Sequence, residues 1–229
     1  YDNTNKTKKI INYLEFSFVF TCVPYKNIKK IYPKNEFPKT KFINNLTGYV
    51  SENLNQELEL TSDRKIFIAY RGRLLPLRYG KLGFEKFQIG VKVKDYCKKN
   101  KISCDIEVDE KSRIYGADWN KFICSARSML ASESGSNVFN YDGKLQDKLD
   151  KFRKMNPNAP DEMIYHKIIK PLEVDKLMNQ ISPRIFEMAA AKTIMVLFEG
   201  TYSNIIKPNI HYLPLKKDYS NLKDIIKKL

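Results

Sequence analysis

The chain has 229 residues, 42% hydrophobic and 29% charged, and its 41 lysines and arginines against 26 acidic residues give a formal net charge of +15. This composition belongs to a folded protein and excludes fibrous and disordered chains. The longest nearly apolar stretch, IFEMAAAKTIMVLF, is broken by Glu187 and Lys192 and falls short of the ~20 apolar residues of a membrane-spanning helix.

In chain order, the run FSFVFTCV (16–23), rich in β-formers and stopped by Pro24, predicts a buried strand. A short helix and a lysine-rich, proline-broken connection follow, then a polar stretch to about residue 63. RKIFIAYRGR (64–73) predicts a second strand. Phe84, Phe87, Val91 and Val93 or Tyr96 fall at roughly helical spacing, although Gly90 weakens that helix. SCDIEVD is a strand, DWNKFICSARS a helix with Asp118 as its cap, and MLASES a strand. After a polar stretch to Pro160 come the helix DEMIYHKIIKPLE, a helix from Ser182, the strand TIMVLF, the segment HYLPL and a last helix from about Ser220. Short apolar strands alternating with helices predict an α/β fold with a Rossmann-like, doubly wound parallel sheet over residues 63–229.

The chain begins at Tyr1 with no charged-then-apolar leader, and is expected to be an internal or truncated piece of a longer protein. Cys22, Cys97, Cys104 and Cys124 show no C-x-x-C spacing and read as reduced thiols of a cytoplasmic protein, with peripheral attachment to a membrane left open. The lysines are dispersed along the whole sequence, so the charge reads as a solvated basic surface, and no nucleic-acid partner is expected.

In such a sheet a ligand lies beyond the carboxyl ends of the strands. The loops in question, RGRLLPLRYGKLG, DEKSRIYGAD, ESGSN and EGTYS, carry glycines beside Arg, Glu, Ser and Tyr, chemistry suited to phosphates and hydroxyls. Neither G-x-G-x-x-G nor G-x-x-x-x-G-K-[ST] is present, which disfavours a nicotinamide enzyme or a P-loop ATPase. Ser182 caps the helix that follows it, Pro183 suits its first position, and Ile185, Ala189 and Phe186 are expected to pack inward. Arg184 then stands in the first turn, among unsatisfied N–H groups, where a cation is disfavoured unless an anion is bound. Glu187, one turn on, is placed to take both hydroxyls of a ribose.

SPRIFEMAAAKTIMVLFEG resembles the nucleotide-binding segment in the C-terminal domain of GT-B fold glycosyltransferases of the group 1 superfamily. The resemblance extends through YRGRLLPLRYGKLGFEKFQIG, RIYGADWNKFICSARSMLASESGSNVF and EGTYSNIIKPNIHYLPLKKDYSNL. It implies that residues 63–229 form the C-terminal donor-binding domain and 1–62 the tail of an N-terminal domain with the interdomain connection. Arg71 or Arg73, with Lys86, would hold the donor diphosphate; Glu187 would bind the donor ribose. Gly116, with Arg113 and Ile114, would meet the base, and Glu133, Ser134 and Gly135 would lie below the sugar. Glu199, Gly200, Tyr202 and Ser203 would line the crevice near the transferred sugar or the acceptor, and Ser182 and Arg184 would face the phosphates. The implied activity is transfer of a sugar from a nucleotide-diphosphate donor, with no metal or other cofactor, to an acceptor (glycan, lipid or protein) bound with the help of the missing N-terminal domain; the piece alone is expected to be inactive. One departure stands out: the family's E-x7-E pattern has Asn179 in place of its first Glu, after an insertion of roughly forty residues over 137–178, which puts retaining stereochemistry in question. The rival expectations are a nucleotide-sugar epimerase on the same fold and a non-enzymatic basic module for RNA or membrane.

Overall fold

The structure, a computed structural model, describes residues 4–50, 52–55, 59–140 and 143–229. Tyr1–Asn3 lie outside the described residues, as do Ser51, Gln56–Leu58 and Tyr141–Asp142, which the sequence places in connecting stretches. The chain divides into two compact units. One comprises Tyr1–Leu46, Pro76–Gly83 and Gly135–Gln180; the other comprises Thr47–Leu75, Phe84–Ser134 and Ile181–Leu229. Residues 76–83 and 135–180, expected within a continuous domain over 63–229, thus group with the N-terminal residues, and so does the insertion.

In the first unit, helix α1 (Thr4–Tyr13) precedes strand β1 (Phe18–Thr21), the one-turn helix α2 (Ile28–Ile31) and strand β2 (Lys41–Asn44). β1 and β2 pair in parallel with Phe18 opposite Lys41. Val23, Ile28, Ile31, Leu177 and Met178 form a core, and the stacked rings of Tyr32 and Phe42, 4.2 Å apart, pack against it. The expected strand is present, but it is not buried: Phe18 is 58% and Phe20 68% exposed. In a two-stranded sheet the alternating side chains on one face have no second layer over them. Three elements of this unit have no counterpart in the sequence reading: α1, β2, and the helix α5 (Leu145–Met155), which lies in the stretch read as polar connection. The short helix α6 (Asp161–Ile164) runs directly into a π-helical turn over Tyr165–Ile169.

The second unit carries the sheet. Its strands are β3 (Ile66–Arg71), β4 (Cys104–Glu107), β5 (Ala126–Ala131), β6 (Ile194–Phe198) and β7 (Leu213–Leu215), in the order β4-β3-β5-β6-β7, all parallel. The side chains alternate between two cores, as the period of 2 along a strand requires. Ala69, Met129, Ala131, Met195 and Leu197 face one core together with Phe122 and Ile123 of α4 (Gly116–Cys124) and Ile185 and Met188 of α7 (Pro183–Ala190). Ile68, Tyr70, Leu130, Val196 and Phe198 face the other, covered by Ile89, Val93 and Cys97 of α3 (Lys81–Lys99) and by Leu222 and Ile225 of α8 (Leu222–Lys228). The sheet is therefore doubly wound and Rossmann-like.

Gly90 has a packing reason. A Cβ there would stand 2.4 Å from Val108 Cγ1 and 2.8 Å from the Tyr70 ring, so the strand side chains occupy the space a side chain on α3 would need. Two boundaries differ from expectation. α4 starts at Gly116 (φ +58°), and Asp118 sits inside its first turn, paired with Lys121 rather than capping. The helix then ends at Cys124 because Ala126–Ser128, expected to be helical, pair with β3.

Candidate functional site

The chain runs from β3 outward to β4 and returns past β3 to β5, so the winding reverses between β3 and β5. Ligands of open parallel sheets bind at such a reversal, outside the carboxyl ends of the strands. A crevice of about 450 Å³ opens there, within the 300–1,000 Å³ range of small-molecule sites. Tyr70, Arg71, Gly72 and Arg73 supply one wall from the end of β3, and Ala131 and Ser132 lie at the end of β5. Lys86 comes from α3, Tyr115, Gly116 and Trp119 from the start of α4, and Ser182 and Arg184 from the start of α7.

The cations of this crevice divide into two kinds. Arg71 is ion-paired with Asp105 at 2.7 Å, donates to the Tyr70 and Asp105 carbonyls, and lies over the Phe122 ring. Arg73 pairs with Glu110 at 3.2 Å, and Arg113 pairs with the same carboxylate while resting on the Tyr115 ring. Lys86 and Arg184, by contrast, have no carboxylate within ion-pair distance among the described residues. The Lys86 ammonium donates to Ser134 Oγ at 3.0 Å. Burial, with the Arg184 charge adding to it, pushes Lys86 down to about 8. The Arg184 guanidinium is held by aromatic faces, 5.2 Å from the Tyr70 ring centre and 5.0 Å from that of Trp119. Tyr70 is fixed in turn, donating its hydroxyl hydrogen to the Lys86 carbonyl at 2.6 Å.

The helix carrying Arg184 begins as expected at Ser182 and Pro183, but the Ser182 hydroxyl makes no capping bond. That hydroxyl and the first turn of α7 share the crevice with Lys86 and Arg184, an arrangement whose chemistry suits an anion. Ile185 and Met188 are the buried residues of α7, whereas Ala189, expected to pack inward, is exposed. A helical repeat of 3.6 puts Met188, three residues after Ile185, on the buried stripe and rotates Ala189 off it.

Of the residues singled out in the sequence, Arg71, Arg73, Lys86, Arg113, Ile114, Gly116, Ser182 and Arg184 meet in this crevice. The others do not line it. Glu133, 5% exposed, accepts hydrogen bonds from the Thr201 and Tyr202 backbone N–H groups and the Thr201 hydroxyl, holding the loop after β6 in place. Gly200 lets that carboxylate approach, since a Cβ there would stand 2.8 Å from Glu133 Cδ. Tyr202 is fully buried and donates to the Phe198 carbonyl at 2.6 Å; Ser203 accepts from the Ile181 N–H; Glu199 is exposed. Ser134 stands behind Lys86 as its hydrogen-bond acceptor. Gly135 belongs to the other unit, where at φ +102° the Met178 carbonyl fills the place of a Cβ. Glu187 accepts a hydrogen bond from the Trp119 indole N–H at 2.9 Å, so one of the two oxygens expected to hold ribose hydroxyls is already engaged.

Sequence reasoning missed the aromatic members, Tyr70, Tyr115 and Trp119. The available signal was Trp119, the single tryptophan of the chain, just after the glycine that opens a helix.

All four cysteines are free thiols, and burial beside Cys104 pushes Cys97 up to about 12. Among the described residues no three His, Cys, Asp or Glu side chains gather as a metal site requires, and no helix is long and apolar enough to cross a membrane. A scan of protein-family models finds no match to this chain, and searches of curated proteins and of solved structures find none either.

Proposed function

We propose that the sheet-bearing unit binds the nucleoside diphosphate of a sugar donor, and that the protein transfers the sugar to an acceptor as a glycosyltransferase of the GT-B kind. The observation that carries this reading is the convergence of Lys86 and Arg184, neither neutralised by a carboxylate, with the first turn of α7 at the point where the sheet reverses. Two adjacent cations without counter-ions repel each other, and a diphosphate lowers that cost by bridging them. The exposed Tyr115 ring at the crevice mouth offers a face to a base. The resemblance of SPRIFEMAAAKTIMVLFEG to the donor-binding segment of such enzymes supports the sugar-transfer half of the proposal.

In this reaction the bond from the anomeric carbon to the distal phosphate oxygen breaks, the nucleoside diphosphate leaves with the electron pair, and an acceptor hydroxyl bonds to the anomeric carbon and releases its proton to solvent. Lys86, Arg184 and the N–H groups of α7 are fixed before reaction where that charge grows, so they stabilise the leaving group without reorganising. Calorimetric titration with UDP, GDP, ADP and CMP tests the binding half. One nucleoside diphosphate is expected to bind the wild type and to be lost in Arg184→Ala and Lys86→Ala. Absence of binding by a folded chain would sink the proposal. Release of the nucleoside diphosphate from the matching nucleotide sugar, dependent on added acceptor, tests the transfer half.

A further inference from the structure

Arg184 and Glu187 lie three residues apart on one helix, the spacing at which an arginine and a carboxylate ordinarily pair. They do not pair here. Trp119, reaching over from α4, takes both: its ring face carries the Arg184 guanidinium at 5.0 Å, and its edge N–H donates to Glu187 Oε2 at 2.9 Å. Trp119 lines the crevice, whereas Glu187 is not among the lining residues.

Resting on the reading that this crevice binds a diphosphate, we infer that Glu187 is a positioning residue acting through Trp119. The indole N–H holds the carboxylate away from Arg184, and the indole face holds Arg184 toward the crevice, so the cation stays available to an external anion. Without the N–H, Glu187 closes onto Arg184 as an ordinary i, i+3 pair and neutralises the site from within. The role differs from direct recognition of a ribose, in which Glu187 would matter only for ligands that carry one.

The sign of one double variant separates the two roles, with inorganic pyrophosphate as the probe because it has no ribose. Trp119→Phe keeps a ring beside Arg184 but removes the donor, and it is expected to weaken pyrophosphate binding about tenfold. Glu187→Gln retains an acceptor for the indole and is expected to stay within about twofold of wild type. Adding Glu187→Gln to Trp119→Phe removes the charge that would close on Arg184 and is expected to restore binding to within about twofold of wild type. A double variant that binds no better than Trp119→Phe, with the wild type binding and all chains folded by circular dichroism, overturns this inference and leaves the diphosphate reading standing. A wild type that binds neither pyrophosphate nor any nucleoside diphosphate overturns both. Because Trp119 is the single tryptophan, its one indole N–H resonance gives a ligand-free check: it is expected to move upfield in Glu187→Ala and to stay near its place in Glu187→Gln.

Discussion

Both ends of the five-stranded sheet hold enclosed cations, and they are held in opposite ways. At the amino end Arg64, 3% exposed, donates to the Ala126 and Ala191 carbonyls at 3.1 and 2.8 Å, to Thr193 Oγ1 at 3.0 Å and to the Glu59 carbonyl at 3.4 Å. It ties the start of β5, the end of α7 and the residue before β6 together. At the carboxyl end, among the described residues, Lys86 has one hydroxyl partner and Arg184 two aromatic faces. Burial alone does not separate a structural cation from a ligand-binding one; the number of acceptors already committed to it does. The same contrast recurs at the carboxyl end itself, where Glu133 accepts three hydrogen bonds from one loop and is left with a structural task.

That contrast is broken most directly by Arg64→Met. The buried Ala126 and Ala191 carbonyls and the Thr193 hydroxyl lose a charged donor, and the fold is expected to lose about 3 kcal/mol in urea titration, with diphosphate affinity of the folded fraction unchanged. Arg184→Ala should do the reverse: affinity falls about a hundredfold by calorimetry while the urea midpoint barely moves. If Arg184→Ala proves as destabilising as Arg64→Met, the distinction between committed and uncommitted cations fails.

A smaller effect sharpens it. Lys86→Met removes an ammonium that the folded protein encloses without a counter-ion, and should raise stability by about 1–2 kcal/mol while abolishing diphosphate binding. The pH dependence has a definite sign. Lys86 is lowered from 10.5 to about 8, chiefly by burial and then by Arg184, so above about pH 8 the unfolded chain holds this proton more firmly than the folded one. Its cost to the ligand-free fold is fully present below about pH 8 and is relieved as pH rises toward 10.5. Diphosphate affinity should fall over the same range, with proton uptake on binding detectable as a dependence of the calorimetric heat on buffer. The smallest expected effect is Tyr202→Phe, which deletes the bond to the Phe198 carbonyl and should cost about 1 kcal/mol in thermal unfolding with no change in affinity.

Much of the fold was legible because its signals are local. The apolar cores of β3 and β6 show as short runs flanked by polar residues, and Ser182-Pro183 marks the start of α7 at the observed position. The edge of α4 was misjudged because Ala126–Ser128 continue a helical pattern, and only pairing with β3 makes them a strand. The composition of β1 is that of a core strand and predicts burial, yet Phe18 and Phe20 face solvent. Exposure is a property of the layers around a strand, which its own residues do not encode.

The sequence by itself determined the fold class and the loops among which the candidate site lies, since hydrophobic periodicity and turn residues act over a few positions. It also marked Arg184 as a cation where the helix field disfavours one. Tertiary structure alone decided which residues meet: Lys86 with Arg184, Trp119 between Arg184 and Glu187, and Glu133, Tyr202 and Ser203 turned inward to hold a loop. The physical reason is that a charged or polar group's role is fixed by which partners reach it across the fold, and most of those partners lie tens of residues away along the chain.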